Sequence, residues 1–106
     1  MFYHTVFDPK ALSLETAHPS MKLLDAANGC CAGVTYCPSD EFGTPASHED
    51  QEGFFFVEGN GFGLIDGQEV PVGPNSVMIL PAGVSHTFRR ASDSVPLKFY
   101  WFHAAI

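Results

Sequence analysis

Four ionisable side chains, His48, Glu49, Asp50 and Glu52, crowd the entrance to an aromatic run, Phe54-Phe55-Phe56-Val57. Further along, the rigid corner Pro81-Ala82-Gly83 leads to His86 at the head of a second apolar stretch. Imidazoles and carboxylates hydrogen-bond ligands, move protons or coordinate ions, and residue type alone leaves that choice open. Convergence would make them a site. The two segments must be brought to one place, and the expectation is that they meet inside a small β-barrel.

The elements available to do this are short strands. Asn28-Gly29 supplies the two positive-φ positions of a type I′ hairpin between Met21–Ala27 and Cys31–Cys37. A loop rich in Pro, Ser, Gly and Asp follows, from Pro38 to Ser47. Strands are then expected over Gly53–Glu58, Phe62–Asp66, Gln68–Val72, Ser76–Leu80, His86–Arg90 and Leu97–Ala104. The turns between them are Gly59-Asn60-Gly61, Asp66-Gly67, Gly73-Pro74-Asn75 and the Pro81 corner. This spacing indicates an antiparallel sandwich or barrel, and no long helical period competes with it. Residues 2–7 read as a further short strand. Lys10 to Ala17 reads as one or two helical turns or as loop.

Composition narrows the partners. A chain of 106 residues builds one core. Its net charge of −7, with only 5 Lys and Arg, argues against nucleic acid or an anionic membrane as partner. Three cysteines, Cys30, Cys31 and Cys37, make a poor disulfide framework, so reduced thiols and a cytoplasmic setting are expected. Cys30 and Cys31 are read as buried and inert, and Cys37 as the more reactive thiol. No signal peptide is seen, and no apolar run reaches the ~20 residues of a membrane helix. His4 and His18 lack motif context and are read as surface residues.

The chain resembles the cupins, a family of small jelly-roll barrels with two short motifs. The first is G-x5-H-x-H-x3/4-E-x6-G and the second G-x5-P-x-G-x2-H-x3-N. His48, Glu52 and Gly59 stand in phase with the first, and Pro81, Gly83 and His86 with the second. Leu64 to Val70 resembles the hairpin between them. The resemblance covers roughly residues 30–104 and implies an all-β, cupin-type double-stranded β-helix (jelly-roll) barrel. It implies a single domain over 1–106, with residues 1–20 as an N-terminal arm. Four positions depart from the pattern. Ala46 replaces the first histidine, Asp40 and Asn75 replace the opening glycines, and Arg90 replaces the closing asparagine. Asn75 is the substitution best able to keep a positive φ.

In cupins with full motifs, three histidines and the glutamate bind a divalent transition metal. Carried over, the ligands here are His48, Glu52 and His86, a set that suits Fe, Mn, Ni or Zn. Gln51, Asp50 and His103 are the candidates to replace the missing ligand. A shifted phase, with His48 and Asp50 as the paired positions, would break the link to Gly59. A metal-free reading makes the histidines hydrogen-bonding pocket residues, with Glu52 capping an amide or pairing with Arg90.

Strand alternation sets the lining. With Glu52 inward, Phe54 and Phe56 follow; with His86 inward, Phe88 follows; with Lys98 outward, Phe99, Trp101 and His103 face in. Together with Gln51 these would form an aromatic pocket for a small molecule, although Phe54, Phe56 and Phe99 are read first as barrel core. Two functions result: a metal-dependent cupin acting on or binding a small organic molecule by oxygenase, isomerase or decarboxylase chemistry, or a metal-free sensor or storage barrel. Cupins of this kind commonly form homodimers, and the apolar N-terminal strand is compatible with one.

Overall fold

The structure is a computed structural model that describes residues 2–16 and 18–104. The Met1 and Ala105–Ile106 ends of the expected domain, and Ala17 of the arm, lie outside the described residues. Among the described residues, eight strands form two antiparallel sheets. They are β1 (Ser20–Asp25), β2 (Cys31–Cys37), β3 (Gln51–Glu58), β4 (Gly61–Ile65), β5 (Gln68–Val72), β6 (Val77–Leu80), β7 (His86–Arg90) and β8 (Leu97–Ala104). The large sheet runs β1-β2-β8-β3-β6 and the small one β5-β4-β7. The jelly roll expected from the motifs is present.

The chain changes sheets between β3 and β4. Gly59 makes this corner at φ 80°, and a Cβ there would stand 2.6 Å from the Pro96 carbonyl oxygen, so no other residue fits. The crossing places Glu52 and His103 on the large sheet and His86 on the small one, with the barrel interior between. Below them lies a core of Phe54, Phe56, Val72, Leu80, Leu97 and Phe99, against which Phe88 and Trp101 pack. The aromatic rings meet edge-on, Phe54 and Phe88 with centroids 5.1 Å apart and Phe54 and Phe99 5.6 Å apart.

The turns follow their chemistry. Asp66 and Gly67 take φ 47° and 79° between β4 and β5, and Asn75 takes φ 72°, doing the work of the glycine it replaces. Asn28 and Gly29 also have positive φ, but β1 ends at Asp25. The turn is the wider Ala26–Cys30 loop, closed by the Ala26 amide on the Cys30 carbonyl at 2.8 Å.

Three expectations need correction. Residues 2–7 form no strand. The arm crosses the outer face of the large sheet rather than pairing with an edge, and it is fastened by Phe7 against Tyr36. One 3-10 turn, Pro9–Ala11, is the only helical part of the arm among the described residues, capped by the Asp8 carboxylate. The cysteines are free, as expected, but Cys30 is exposed because it belongs to the turn before β2. Cys37 is not the reactive thiol: burial pushes its pKa up, and its Sγ donates to the Phe88 carbonyl at 3.2 Å.

Candidate metal centre

The large sheet supplies the centre of the site. Glu52 on β3 and His103 on β8 are direct cross-strand partners, so their side chains leave the sheet on the same face. From the small sheet His86, the first residue of β7, points across the gap. Its backbone pairs with Ala46 through two hydrogen bonds of 2.9 and 2.8 Å, which ties the loop before β3 to β7. His48 hangs from that loop, and its carbonyl accepts the Gly83 amide at 2.7 Å. The two motif segments are thus bonded to each other through their backbones.

Three imidazoles surround one carboxylate. Glu52 is 7% exposed. Its Oε1 lies 3.2 Å from His86 Nε2 and 3.4 Å from His48 Nε2, and its Oε2 lies 3.3 Å from His103 Nε2. One ligand atom from each of His48, Glu52 and His103 falls within 4.8 Å of the others. The triad implied by the motifs therefore acquires a member: His103, expected as pocket lining and as a stand-in for the missing histidine, groups with His48 and Glu52. His86 reaches the same carboxylate from the opposite sheet.

The far nitrogens of two rings are already occupied. His103 Nδ1 is 2.7 Å from Asp50 Oδ2, and His86 Nδ1 is 3.1 Å from the Val84 carbonyl oxygen. Both partners are acceptors, so each Nδ1 carries the proton and each Nε2 of a neutral ring presents a lone pair to Glu52. Lone pairs facing a carboxylate repel unless a cation lies between them. Consistently, Glu52 Oε1 is buried with no hydrogen-bond donor aimed at it. A proton is the minimal remedy: the Glu52 carboxylate foremost, and the Val84 carbonyl in addition, hold the His86 pKa above its ordinary value against the opposing effect of burial. Asp50 is shifted down, chiefly by its bond to His103. A divalent metal is the other remedy, and imidazole with carboxylate is a donor set that first-row metals accept. The residues present fit such an ion.

The remaining predicted residues divide. Phe54 and Phe56 are sealed in the core, and Trp101 donates its indole N–H to Thr35 Oγ1 at 2.9 Å. Gln51 is exposed and borders a groove on the outer face of the sheet, away from the cluster. Phe88 and Phe99 do line an open cavity, together with His86. This cavity, of about 740 Å³, lies between the β2 end, β7 and the loop 38–46. Ala46 also lines it, so the small side chain leaves space where the family pattern has an imidazole. Arg90 does not pair with Glu52. Its guanidinium binds the Pro38 carbonyl at 2.7 Å and the Ala91, Ser92 and Ser94 carbonyls, fastening the cavity's loop. Sequence reasoning missed this role, although an arginine in place of the motif's asparagine was the signal.

Two sheets closed around such a cluster define a cupin. The family model for the cupin domain matches residues 34–103, and the chain belongs to that family. A comparison with curated proteins returns no match. Among solved structures, the chain is similar to the cupin domain of Schizosaccharomyces pombe Cnp3, with a TM-score of 0.81 and 15% identity over 95% of this chain and 74% of that one. It is similar to the polyketide cyclase RemF from Streptomyces resistomycificus, at 0.75 and 17% over 95% and 79%. It also resembles a predicted oxalate decarboxylase from Thermotoga maritima, at 0.73 and 19% over 84% and 81%. No helix among the described residues is long and apolar enough to cross a membrane.

Proposed function

We propose that this chain is a single-domain, metal-binding cupin that acts on or binds a small organic molecule. The metal is a divalent Fe, Mn, Ni or Zn ion held by His48, Glu52 and His103, with His86 as the fourth donor. The observation that carries this reading is the buried, donorless Oε1 of Glu52 ringed by imidazole nitrogens. When bound, the ion would supply Lewis acidity or a redox centre beside the cavity. The chain's own residues do the rest. Asp50 and the Val84 carbonyl fix the tautomers of His103 and His86, and Glu52 contributes negative charge. Phe54 and Phe88, packed against the His86 ring, keep water from beneath it.

The second reading is a metal-free binding barrel. It draws support from the His86–Glu52 contact of 3.2 Å, which one proton can bridge. Elemental analysis of the purified protein separates the two. The metal reading expects one ion per chain, with affinity falling by more than about 100-fold in Glu52→Gln, beyond what loss of an outer partner costs. A preparation that takes up none of Zn, Ni, Mn or Fe would leave the second reading.

The protein is further proposed to be a cytoplasmic homodimer. The free thiols suit a reducing compartment. The outer face of the large sheet leaves Val77 and Ile79 69% and 70% exposed beside Phe55 and Phe102, an apolar patch that a second copy would cover.

A further inference from the structure

We infer that the cavity beside His86 selects uncharged aromatic molecules and rejects carboxylate anions. This deepens the functional reading above by naming a substrate class, but it rests on the cavity lining, which exists with or without a metal.

The lining offers rings and hydroxyls but no Lys or Arg; of its two imidazoles, His86 already faces the Glu52 carboxylate at 3.2 Å and His18 is exposed. Phe42, Phe88 and Phe99 provide apolar surface, and Thr44 and Thr87 provide hydroxyls. A volume of about 740 Å³ holds a molecule of one or two rings. The chain's five Lys and Arg are all described, and none lines the cavity. Lys10 stands on the arm. Lys22 pairs with Asp25 at 3.4 Å. Lys98 lies over the Phe7, Tyr36 and Tyr100 rings. Arg89 is paired with Glu69 at 3.1 Å and stacked on Phe42 and Phe62. Arg90 is committed to backbone carbonyls. Glu41 is the one acid on the cavity's rim, beyond the cluster.

The cluster does not restore a positive charge. A divalent ion there would face two carboxylates, Glu52 directly and Asp50 through His103. Two negative charges cancel two positive ones, so the loaded centre is neutral overall. An anion entering the cavity would lose its hydration and find no counter-charge that is not already matched by a carboxylate, as His86 is by Glu52, a loss that an uncharged molecule of the same shape avoids. The net charge of −7 opposes its approach as well.

Benzamide and benzoate are nearly isosteric and differ in charge. Each is titrated at pH 8 into metal-free and Zn-loaded protein, following the backbone amide shifts of Thr87, Phe88 and Phe99 by NMR. Benzamide is expected to move these amides in both forms, and benzoate to bind at least about tenfold more weakly. In Thr44→Lys, which adds a cation at the exposed rim, benzoate should gain relative to benzamide. Equal or tighter benzoate binding, in either form, would overturn the inference; so would failure of both probes to shift the amides. If the protein takes up no metal but the preference holds, the metal reading falls and the inference stands.

Discussion

The two faces of the large sheet are built from alternate residues of the same strands, and they have opposite fates. On β3, Glu52, Phe54 and Phe56 face the barrel and are buried, while Phe55 between them looks outward at 38% exposure. On β8, Phe99 is buried, and its outward neighbours Tyr100 and Phe102 belong to the other face. The inner face is closed by the second sheet of the same chain. The outer face is as apolar but receives only the N-terminal arm. There Phe7 covers Tyr36, and Val34, opposite Tyr100, is fully buried. Toward β6 the arm gives out, and Val77, Ile79 and Phe102 remain uncovered. An alternating strand normally turns polar residues to water. In this sheet the inner face is covered fully and the outer face only in part.

The largest expected effect tests that contrast with adjacent phenylalanines. Phe56→Ala should destabilise by about 3–5 kcal/mol, because a fully buried ring leaves a cavity that packed neighbours cannot fill. Phe55→Ala should cost about 1 kcal/mol or less in dilute protein. Its cost should grow with protein concentration if a second copy covers it. Chemical denaturation at two concentrations reads both. Equal costs for the two substitutions would mean that the outer face is packed as fully as the inner one.

The outer patch has its own test. Ile79→Asp, at a position 70% exposed, should leave the monomer's unfolding midpoint nearly unchanged while weakening self-association by more than about 100-fold. Analytical ultracentrifugation decides the matter, and a monomeric parent protein would remove the proposed dimer altogether.

The comparison of faces also explains what the sequence could tell. Period-2 alternation in β3 and β8 and the turn chemistry at Asp66-Gly67 and Asn75 are local, so strands, corners and the inward set were legible. Register is not local. The pairing of Glu52 with His103 joins residues from distant parts of the chain, and it brings a pocket histidine against the carboxylate. The motif spacing pointed to His86, which does reach Glu52, but it could not say that β8 brings a third imidazole to the same carboxylate. The arm misled for a related reason. FYHTVF has strand composition, yet β-structure needs a free edge, and this segment lies across a face. Arg90 looked like a damaged motif position because its partners are backbone carbonyls, which no side-chain pattern reveals.

On the inner face, Asp50 is a positioning residue for the cluster, acting through His103 Nδ1 at 2.7 Å. Asp50→Asn keeps the shape but lets the amide present either a donor or an acceptor, so the ring loses its fixed tautomer. Metal affinity should fall about 10- to 100-fold, as for other outer partners of ligating histidines. Asp50→Glu should recover part of it. Competition with a chromogenic chelator measures both. Unchanged affinity in Asp50→Asn would show that His103 does not ligate.

The smallest effect separates the two ways of quieting Glu52. In the metal-free protein the cation is a proton on His86, whose pKa Glu52 raises. A raised folded-state pKa adds stability that is complete below the unfolded value of about 6.5 and disappears as pH rises through the folded value. Metal binding has the opposite sign, since it needs the neutral Nε2 and weakens as pH falls through that same raised value. The Tm gap between Zn-loaded and metal-free protein should therefore widen steadily from about pH 6 to about pH 8. In His86→Gln the slope of that gap should flatten, while His48 and His103 still hold some metal. A gap independent of pH in the parent protein would take His86 out of the cluster, leaving the buried carboxylate to the histidines of its own sheet and loop.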